Sequence, residues 1–474
     1  MFNNLKPYPA YKDSEVAWLG EVPEHWNIVP NRATFQELKE IGHPDEQMLS
    51  VTITQGVILQ SSLLSDTSKK DSSTENKSKY KLVCPGDIAY NKMRAWQGAV
   101  GASGYQGIVS PAYIVVRPRE NHNPRFFHYL FRTPVFTKEA ERWSYGISSD
   151  QWSLRPEEFK QIYCCVPPLP EQTAIVRYLD YMDRRIRRYI NAKKKLITLL
   201  NEQKQAIIHQ AVTRGLNPNV RLKPSGVEWL GNVPESWGVA SVKRHYNIQL
   251  GKMLQTAANN TTDIAVPYLK AQHVQWFSVR MNDLPTMWAS PSEIRQFSVR
   301  EGDLLVCEGG EGGRCSLLHN IDTPVIIQNA LHRVRPTAGY HNEFLQYVLN
   351  AVSASGYFDA LNNKATIAHF TRDKFGALEI PVPPDHEQSG VIKFLNDATI
   401  NLDATIANVK RESYLLREYR TRLIADVVTG KLDVREAAAS LPEEAEGEPL
   451  DDIESTAGFE LTTENDDTNP TEEV

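Results

Sequence analysis

The chain has 474 residues, 41% hydrophobic and 23% charged, a composition typical of globular proteins with two to four domains. No apolar run approaches the ~20 residues of a membrane span, and the N-terminus lacks the layout of a secretory signal, so we expect a cytoplasmic protein with no membrane partner. The five cysteines form no C-x-x-C pair. This predicts reduced thiols, with neither a disulfide framework nor a metal site.

The net charge of −6 hides an uneven distribution along the chain. Residues 436–474 contain 14 acidic and no basic side chains, which leaves 52 basic and 44 acidic groups, a net +8, in residues 1–435. High negative charge with few large apolar residues predicts that 436–474 is a disordered, solubilising tail. The basic remainder leaves nucleic acid open as a partner, although many enzymes share this mild positive charge.

An irregular phrase near the N-terminus, VAWLGEVPEHW at Val16–Trp26, returns as VEWLGNVPESW at Val227–Trp237. Further along, VPPLPEQTAIVRYLD at Val166–Asp180 matches VPPDHEQSGVIKFLN at Val382–Asn396, and AVTRGL later echoes VVTGKL. Internal repeats at matching spacing predict two copies of one architecture. Between these anchors the copies differ, since NKMRAWQGAVGASG has little in common with CEGGEGGRCSLLHN.

The differing inserts indicate a mixture of helix and strand. GIVSPAYIVVRP and TPVIIQNALHRVRP are rich in strand-forming residues, whereas PRFFHYLFRTPVF and NEFLQYVLNAV predict short helices. Residues 61–80 predict a polar loop. The fold class expected is therefore α+β, with two mixed α/β domains.

Each VPP…EQ phrase opens a long helix with an apolar seam on a 3.5-residue period, as in a coiled coil. Lys193 and Gln203 interrupt the seam in the first copy, and Glu412 and Tyr419 interrupt it in the second. We expect the two helices to pair antiparallel, separating the two mixed domains with an approximate two-fold relation, although a long amphipathic helix is often simply core. The seam residues predicted to form the spacer and to dock partners are Leu179, Met182, Ile186, Leu196, Leu200, Leu395, Leu402, Val409, Leu416 and Leu423.

Motifs for catalysis are missing from the sequence. It contains no G-x-x-x-x-G-K-[ST] loop, no H-E-x-x-H, no G-x-S-x-G and no Asn/Asp-Pro-Pro-Tyr/Phe element. GGEGGR at Gly309–Arg314 matches no helix-opening phosphate fingerprint, and a flexible β-connection that lets backbone approach DNA is the better interpretation. We therefore expect no catalytic residue.

Recognition chemistry is concentrated where the halves differ. Arg and Lys hydrogen-bond guanine edges, Asn and Gln hydrogen-bond adenine edges, and Ser and Thr often contact phosphates. For any single residue, a solvated loop side chain is the alternative. The DNA-binding candidates are Lys92, Arg94, Trp96, Ser148, Ser149, Gln151, Lys270, Gln272, His273, Arg314, Lys364, Thr366 and His369.

This layout resembles the specificity subunit of Type I restriction–modification systems. The resemblance is carried by the paired WLGxVPxxW phrases, both helix openings, PGDIAYNKMRAWQG, YLKAQHVQW and ATIAHFTRDKFGALEIPVPP, and it covers residues 8–435. The acidic tail departs from the family pattern.

The resemblance implies target recognition domains at 1–168 and 216–384, conserved spacer helices at 169–215 and 385–435, and a tail at 436–474. It also implies that the chain reads a bipartite, asymmetric site in double-stranded DNA and docks two methyltransferase subunits. S-adenosylmethionine, ATP and Mg²⁺ would belong to the methyltransferase and motor-nuclease partners, and no cofactor would belong to this chain. The alternatives are an orphan DNA-binding regulator and an enzyme with an unrecognised methyl-transfer or nuclease site.

Overall fold

A computed structural model describes residues 5–62, 77–146, 152–309, 311–321, 323–358 and 370–442. The chain divides into two compact units: unit 1 combines residues 1–194 with 411–474, and unit 2 comprises residues 195–410. Most of the predicted polar loop, and the predicted tail from residue 443 onward, lie outside the described residues.

Unit 1 contains short helices and twelve described strands on the N-terminal side of its first long helix. The strands are β1 Tyr11–Asp13, β2 Glu21–Pro23, β3 Asn27–Pro30, β4 Phe35–Leu38, β5 Leu49–Thr52, β6 Gly56–Leu59, β7 Lys81–Val83, β8 Ile88–Asn91, β9 Val100–Ala102, β10 Gly107–Val109, β11 Tyr113–Pro118 and β12 Tyr163–Val166. The helices are α1 Asn31–Thr34, α2 Pro124–Phe131, α3 Pro134–Arg142 and α4 Pro156–Gln161, with a 3₁₀ turn at Ala95–Gln97.

Unit 2 repeats this organisation. Its strands are β13 Leu222–Pro224, β14 Asn232–Pro234, β15 Gly238–Ser241, β16 Tyr246–Leu250, β17 Ile264–Leu269, β18 Val274–Gln275, β19 Ser278–Val279, β20 Thr286–Ala289, β21 Leu304–Cys307, β22 Cys315–Leu317, β23 Ile326–Ile327, β24 Leu331–Pro336 and β25 Glu379–Val382. Its short helices are α6 Pro291–Phe297, α7 Asn342–Ala354 and α8 Arg372–Ala377, with 3₁₀ turns at Val242–Arg244 and Ala271–His273.

The same four-stranded antiparallel sheet occurs in both units. Its strand order is β4-β11-β8-β9 in unit 1 and β16-β24-β21-β22 in unit 2. The central strands β11 and β24 bury β-branched or leucine side chains, which suit a pleated, covered surface. The predicted α+β class is confirmed, and the strands and short helices predicted in the inserts are present.

Two long helices complete the fold, α5 at Leu169–Arg214 and α9 at Asp385–Val428. In unit 1, ion pairs join Asp183 to Arg420 and Lys193 to Glu412. Partner positions on α9 fall as positions on α5 rise, so the helices run antiparallel there. Lys193 and Glu412, which interrupt the apolar seams in the sequence, pair with each other.

Unit 2 has its own antiparallel helix pairing. Lys204 Nζ lies 2.7 Å from Asp403 Oδ1. Further toward the C-terminus of α5, Ile208 and Val212 share an apolar cluster with Leu395, near the N-terminus of α9. The antiparallel pairing predicted from the seams is therefore present in each unit.

Burial along the seam varies with position. Leu179, Met182, Ile186, Leu395, Val409 and Leu423 are buried, and Leu200, Leu402 and Leu416 are partly buried. Leu196 differs from the expectation of a buried seam, because its side chain is 42% exposed. The position equivalent to Leu196 on the second helix is Glu412, 216 residues later. A charged side chain at that position favours exposure to solvent.

The chain remains ordered slightly beyond the start of the predicted tail. Residues Arg435–Ala439 form a short helix, α10, with Ala438 buried. Arg177 then donates a hydrogen bond of 3.0 Å to the carbonyl of Leu441. The sequence missed this because three alanines beside acidic residues give only a weak apolar signal. Among the described residues, no helix is both long and apolar enough to cross a membrane.

Candidate nucleic-acid interface

Each repeated WLGxVPxxW phrase ends in a tryptophan that fastens a mixed domain to a long helix. Trp26 and Trp237 are both 0% exposed. The indole Nε1 of Trp26 donates to Glu171 Oε1 at 2.9 Å, and that of Trp237 donates to Glu387 Oε2 at 2.7 Å. These glutamates belong to the two EQ helix openings, so the two repeated phrases form one joint, made twice.

A glycine that follows a long helix completes each joint. Gly215, after α5, has φ +71°, and a Cβ there would lie 3.1 Å from the ring of Trp237. Gly430, after α9, has φ +80°, and a Cβ there would lie 2.3 Å from Pro23. Only glycine fits this backbone conformation and close approach. Each joint therefore holds the start of one long helix and the end of the other.

A buried carboxylate braces the sheet before the loop that follows β8 and before the loop that follows β21. Asp87 accepts hydrogen bonds from Arg117 Nε at 2.6 Å and Nη2 at 2.9 Å. Asp303 accepts them from Arg335 Nε at 2.6 Å and Nη2 at 2.8 Å. Both aspartates have almost no exposed side-chain surface, and each also accepts a backbone N–H of its own turn. These bidentate pairs fix the start of β8 and of β21.

In unit 1 the loop after β8, residues 92–99, carries three predicted site residues. Arg94 is exposed, and Lys92 is partly buried. Trp96 is partly buried, because its Nε1 donates to the carbonyl of Met93 at 3.0 Å and its ring lies edge-on to Trp152 at 5.6 Å. Two cations therefore share this loop with an indole that the loop itself holds in place.

The predicted residues Ser148, Ser149 and Gln151 lie outside the described residues. The chain on either side of them returns to the loop 92–99. The backbone N–H of Leu154 donates to the carbonyl of Lys92 at 2.9 Å, and Ser153 pairs with Tyr145 in a β-bridge. The ends of this segment are thereby anchored beside Lys92.

In unit 2 the structure brings two predicted segments together. Arg314 Nη2 donates to the carbonyl of Ala271 at 3.1 Å, which joins the GGEGGR connection to the turn that contains Gln272 and His273. Gln272 is exposed. GGEGGR connects β21 to β22, as expected of a β-connection.

Lys270 and His273 occupy the same turn as Gln272. Lys270 is partly buried, and its backbone N–H donates to His273 Nδ1 at 3.2 Å. Burial lowers the pKa of His273, and the charges of Lys270 and Arg280 lower it further. His273 is therefore a neutral, buried support of the turn and does not present a charge.

Lys364, Thr366 and His369 also lie outside the described residues. The flanking residues contact the β21–β22 connection: the N–H of Phe370 donates to the carbonyl of Glu308 at 2.7 Å, and a Cβ on Gly313 would lie 2.5 Å from Phe358. This bond is the counterpart of the Leu154–Lys92 bond, since both residues are shifted by 216. Each unit thus brings the same pair of segments together within itself.

Three residues in or next to these loops were not predicted from the sequence. In unit 2, Trp276 Nε1 donates to Glu311 Oε1 at 2.6 Å, and Glu311 also receives Arg314 Nη1 at 3.4 Å. In unit 1, Lys81 Nζ donates to the carbonyl of Tyr113 at 2.6 Å, and burial lowers the pKa of Lys81. Lys81 comes from a separate strand, so no local sequence signal placed it near Lys92.

The chemistry offered by the described site residues is hydrogen bonding and charge. Among the described residues, no three His, Cys, Asp or Glu side chains are grouped to hold a metal ion. The described cysteines other than Cys84 are buried, and burial raises the pKa of Cys164, Cys165, Cys307 and Cys315.

The comparisons with known proteins agree on what this chain is similar to. Residues 15–199 match the model of the Type I restriction modification DNA specificity domain. The putative type I restriction enzyme MjaX specificity subunit of Methanocaldococcus jannaschii is 22% identical over 451 residues, covering 90% of this chain and 97% of its own length. The EcoKI specificity subunit of Escherichia coli K12 is 19% identical over 436 residues, covering 87% and 90%.

A solved structure shares the fold. It comes from work on complex assembly and conformational transition of the type I R-M system, and it superposes with a TM-score of 0.67 at 15% identity, covering 87% of this chain and 99% of its own.

Proposed function

We propose that this chain, which is similar to Type I restriction–modification DNA specificity subunits, reads a bipartite, asymmetric DNA site through two target recognition domains. The supporting observation is that the two units share their supports but not their loops. The joints and carboxylate braces are duplicated, whereas the loops they support differ in sequence and charge. Equivalent supports with different loops suit two readers of different half-sites.

The proposed domain organisation keeps the boundaries expected from the sequence. The first recognition domain is 1–168 and the second is 216–384, with spacer helices at 169–215 and 385–435 and an acidic tail at 436–474. Exposed Arg94 and Gln272, with partly buried Lys92, Lys270 and Arg314, are the described side chains available to bases or phosphates. Trp96 and His273 support these loops from within.

A domain exchange tests the two-reader proposal. Residues 27–165 are replaced by the corresponding region of a relative, and methyl-adenine is mapped in cells that express the chain with its methyltransferase. We expect one half-site to change and the other to remain. A change in both half-sites, or no dependence of methylation on this chain, contradicts the proposal.

The proposed partners are two methyltransferase subunits that dock on the long helices. Leu199 and Leu415 occupy equivalent positions, 216 residues apart, and are 51% and 50% exposed. Leu196 precedes Leu199 on α5 by three residues and is also exposed, so the two side chains lie on one face of the helix. Apolar side chains repeated on a helix surface favour burial against another protein.

Single charge substitutions test this docking. In Leu199→Glu and in Leu415→Glu, we expect one of two methyltransferase subunits to be lost, measured as mass by light scattering, while DNA binding by the chain alone is retained. Glu202→Gln is a control on the exposed surface of the same helix. Two bound subunits in both leucine variants would contradict the proposal.

Catalysis is assigned to the partners. S-adenosylmethionine would be bound by the methyltransferases, and ATP and Mg²⁺ by motor-nuclease subunits, in the cytoplasm where the DNA lies. The purified chain given S-adenosylmethionine, Mg²⁺ and DNA should neither methylate nor cleave. Activity of the chain alone would instead establish it as an enzyme.

A spacer of fixed length would set the gap between half-sites. Deletion of the heptad 193–199 should shorten that gap in the mapped motif, or abolish assembly. An unchanged gap with retained methylation would contradict the ruler role.

A further inference from the structure

A cavity of about 110 Å³ lies in unit 1 where the mixed domain meets the two long helices. It is several times the ~10–15 Å³ that admits one water molecule. Its lining residues are Thr54, Gln55, His128, Tyr129, Arg132, Thr133, Pro134, Arg187, Arg420, Thr421 and Ile424. Neither the recognition loops nor the leucines of the docking face contribute to it.

Two arginines of this cavity share one buried carboxylate. Arg187 Nε donates to Asp183 Oδ2 at 2.7 Å, and Arg420 Nε donates to Asp183 Oδ1. Asp183 is almost fully buried, whereas the side chains of Arg187 and Arg420 are 28% and 30% exposed. With Arg132, three guanidinium groups stand against one carboxylate, which leaves a net positive charge at the cavity.

The terminal nitrogens of Arg187 and Arg420 are available at the cavity. A guanidinium has five N–H donors, of which Nε supplies one. Within the part of the chain that the structure describes, neither arginine uses an Nη nitrogen in a hydrogen bond. Donors without a protein acceptor on partly buried side chains are open to a ligand or water, and the planar fork of arginine matches the oxygens of a phosphate group.

The lowered pKa of His128 agrees with a net positive charge at the cavity. Burial lowers its pKa well below the usual value, and the charges of Arg132, Arg125, Arg420 and Arg187 lower it further. The ring packs against the backbone, since a Cβ on Gly101 would lie 2.9 Å from Nδ1. His128 therefore lines the cavity as a neutral side chain and adds no charge to that of the arginines.

Unit 2 lacks this charge arrangement at the equivalent positions. Tyr129 donates to Asp180 at 2.5 Å in unit 1, and Tyr347 donates to Asn396 at 2.7 Å in unit 2, which fixes the correspondence. The counterparts of Asp183, Arg187, Arg420, Arg132 and His128 are then Thr399, Asp403, Lys204, Asn350 and Gln346. Lys204 pairs with Asp403, so these two charges cancel.

We propose that the unit 1 cavity binds a phosphate-type oxyanion through the terminal nitrogens of Arg187 and Arg420. The phosphate belongs either to the DNA backbone, a choice that rests on the proposed function, or to a free phosphate ion. Because unit 2 lacks the arrangement, the site is a further difference between the two units.

The experiment uses the full chain and a variant at the cavity rim. Gln55 is exposed, and none of its side-chain atoms takes part in a hydrogen bond among the described residues, so Gln55→Glu adds a repelling charge without removing a contact. Gln203→Glu, on an exposed position of α5 in unit 2, is the matched control for net charge. Arg187→Gln is the second variant, removing one fork.

The first arm measures Tm in inorganic phosphate and in chloride at equal ionic strength. We expect phosphate to raise the Tm of the unaltered chain and of Gln203→Glu, but not of Gln55→Glu or Arg187→Gln. The second arm measures DNA affinity against salt concentration. If the ligand is a DNA phosphate, the log–log slope of Gln55→Glu and Arg187→Gln falls by about 0.9.

The Tm measurement and the DNA-affinity measurement together distinguish a free phosphate ion from a DNA phosphate. A lost phosphate response with an unchanged slope supports a free phosphate ion, and a reduced slope supports the DNA backbone. Equal phosphate responses in all four proteins, together with an unchanged slope, overturn the proposal. The phosphate arm needs no sequence-specific DNA, so its result stands even if the recognition function fails its own test.

Discussion

Unit 1 and unit 2 repeat the same supports but differ in the loops that those supports carry. In both, a buried tryptophan is fastened to a helix-opening glutamate, and a buried aspartate braces the sheet through an arginine. The loops differ: Arg94 is exposed, whereas Arg314 is held by Ala271 and Glu311. The comparison indicates that the chain duplicates the supports and varies the loops that they carry.

The largest expected effect comes from the aspartates that both units share. Asp87→Ala and Asp303→Ala should each lower the free energy of unfolding by about 3 kcal/mol, because each leaves an arginine and a turn N–H without their buried partner. Urea denaturation measures the loss.

The control for this pair is Glu301→Ala. Glu301 makes an exposed pair with His319, and its loss should cost at most ~1 kcal/mol. If one aspartate variant were as stable as this control, the braces would not be equivalent in the two units.

The tryptophan joints should differ in strength. Glu171 is buried and also accepts the hydroxyl of Tyr8 at 2.6 Å, whereas Glu387 is partly exposed and water can replace the lost donor. We therefore expect Trp26→Phe to cost about 2 kcal/mol and Trp237→Phe about 1 kcal/mol of unfolding free energy.

Thermal unfolding of the two variants, with Trp18→Phe as a control for a partly buried indole without a hydrogen-bond partner among the described residues, gives the comparison. Equal losses for Trp26→Phe and Trp237→Phe would show that the burial of the glutamate does not matter.

The recognition loops predict a smaller, binding-specific difference. Arg94→Ala should weaken DNA binding by about 1 kcal/mol without lowering Tm, because Arg94 is exposed. Arg314→Ala should reduce both DNA binding and Tm, since it removes the bond to the Ala271 carbonyl. Fluorescence anisotropy with target DNA measures binding, with exposed Lys39→Ala as the charge control. Unchanged binding in Arg94→Ala would remove this residue from the interface.

The last expected effect appears only at low pH and differs between the units. The folded pKa of His128 is depressed by burial, so the unfolded chain binds its proton first and unfolding becomes easier as pH falls below about 6.5. His128→Gln, which installs the residue found at the equivalent position in unit 2, should flatten this dependence by at most ~1.4 kcal/mol per pH unit.

Urea unfolding on both sides of pH ~6.5 tests this difference. Part of the dependence should persist, because the pKa values of His245, His273 and His332 in unit 2 are also lowered, in each case chiefly by burial. An identical slope in the unaltered chain and the variant would show that His128 takes up its proton at the same pH in the folded and the unfolded chain.

The sequence alone predicted the duplication, the α+β class, the two long helices and their antiparallel pairing. Each depends on patterns that local physical chemistry imposes, such as an apolar period of 3.5 residues or a repeated Trp-Gly-Pro spacing. It also predicted Lys92, Arg94 and Arg314 as DNA contacts, because the composition of the two copies differs in their segments. That assignment stays a prediction.

Only the tertiary structure decided how these parts meet. Trp26 and Glu171 are 145 residues apart, and Asp183 and Arg420 are 237 apart, so no local pattern joins either pair. Burial lowers the pKa of His273, and Leu196 is exposed on the helix surface, and neither property follows from the residues beside them in the sequence. Whether a polar side chain serves recognition or structure depends on the neighbours that folding brings to it, and these lie far away in the chain.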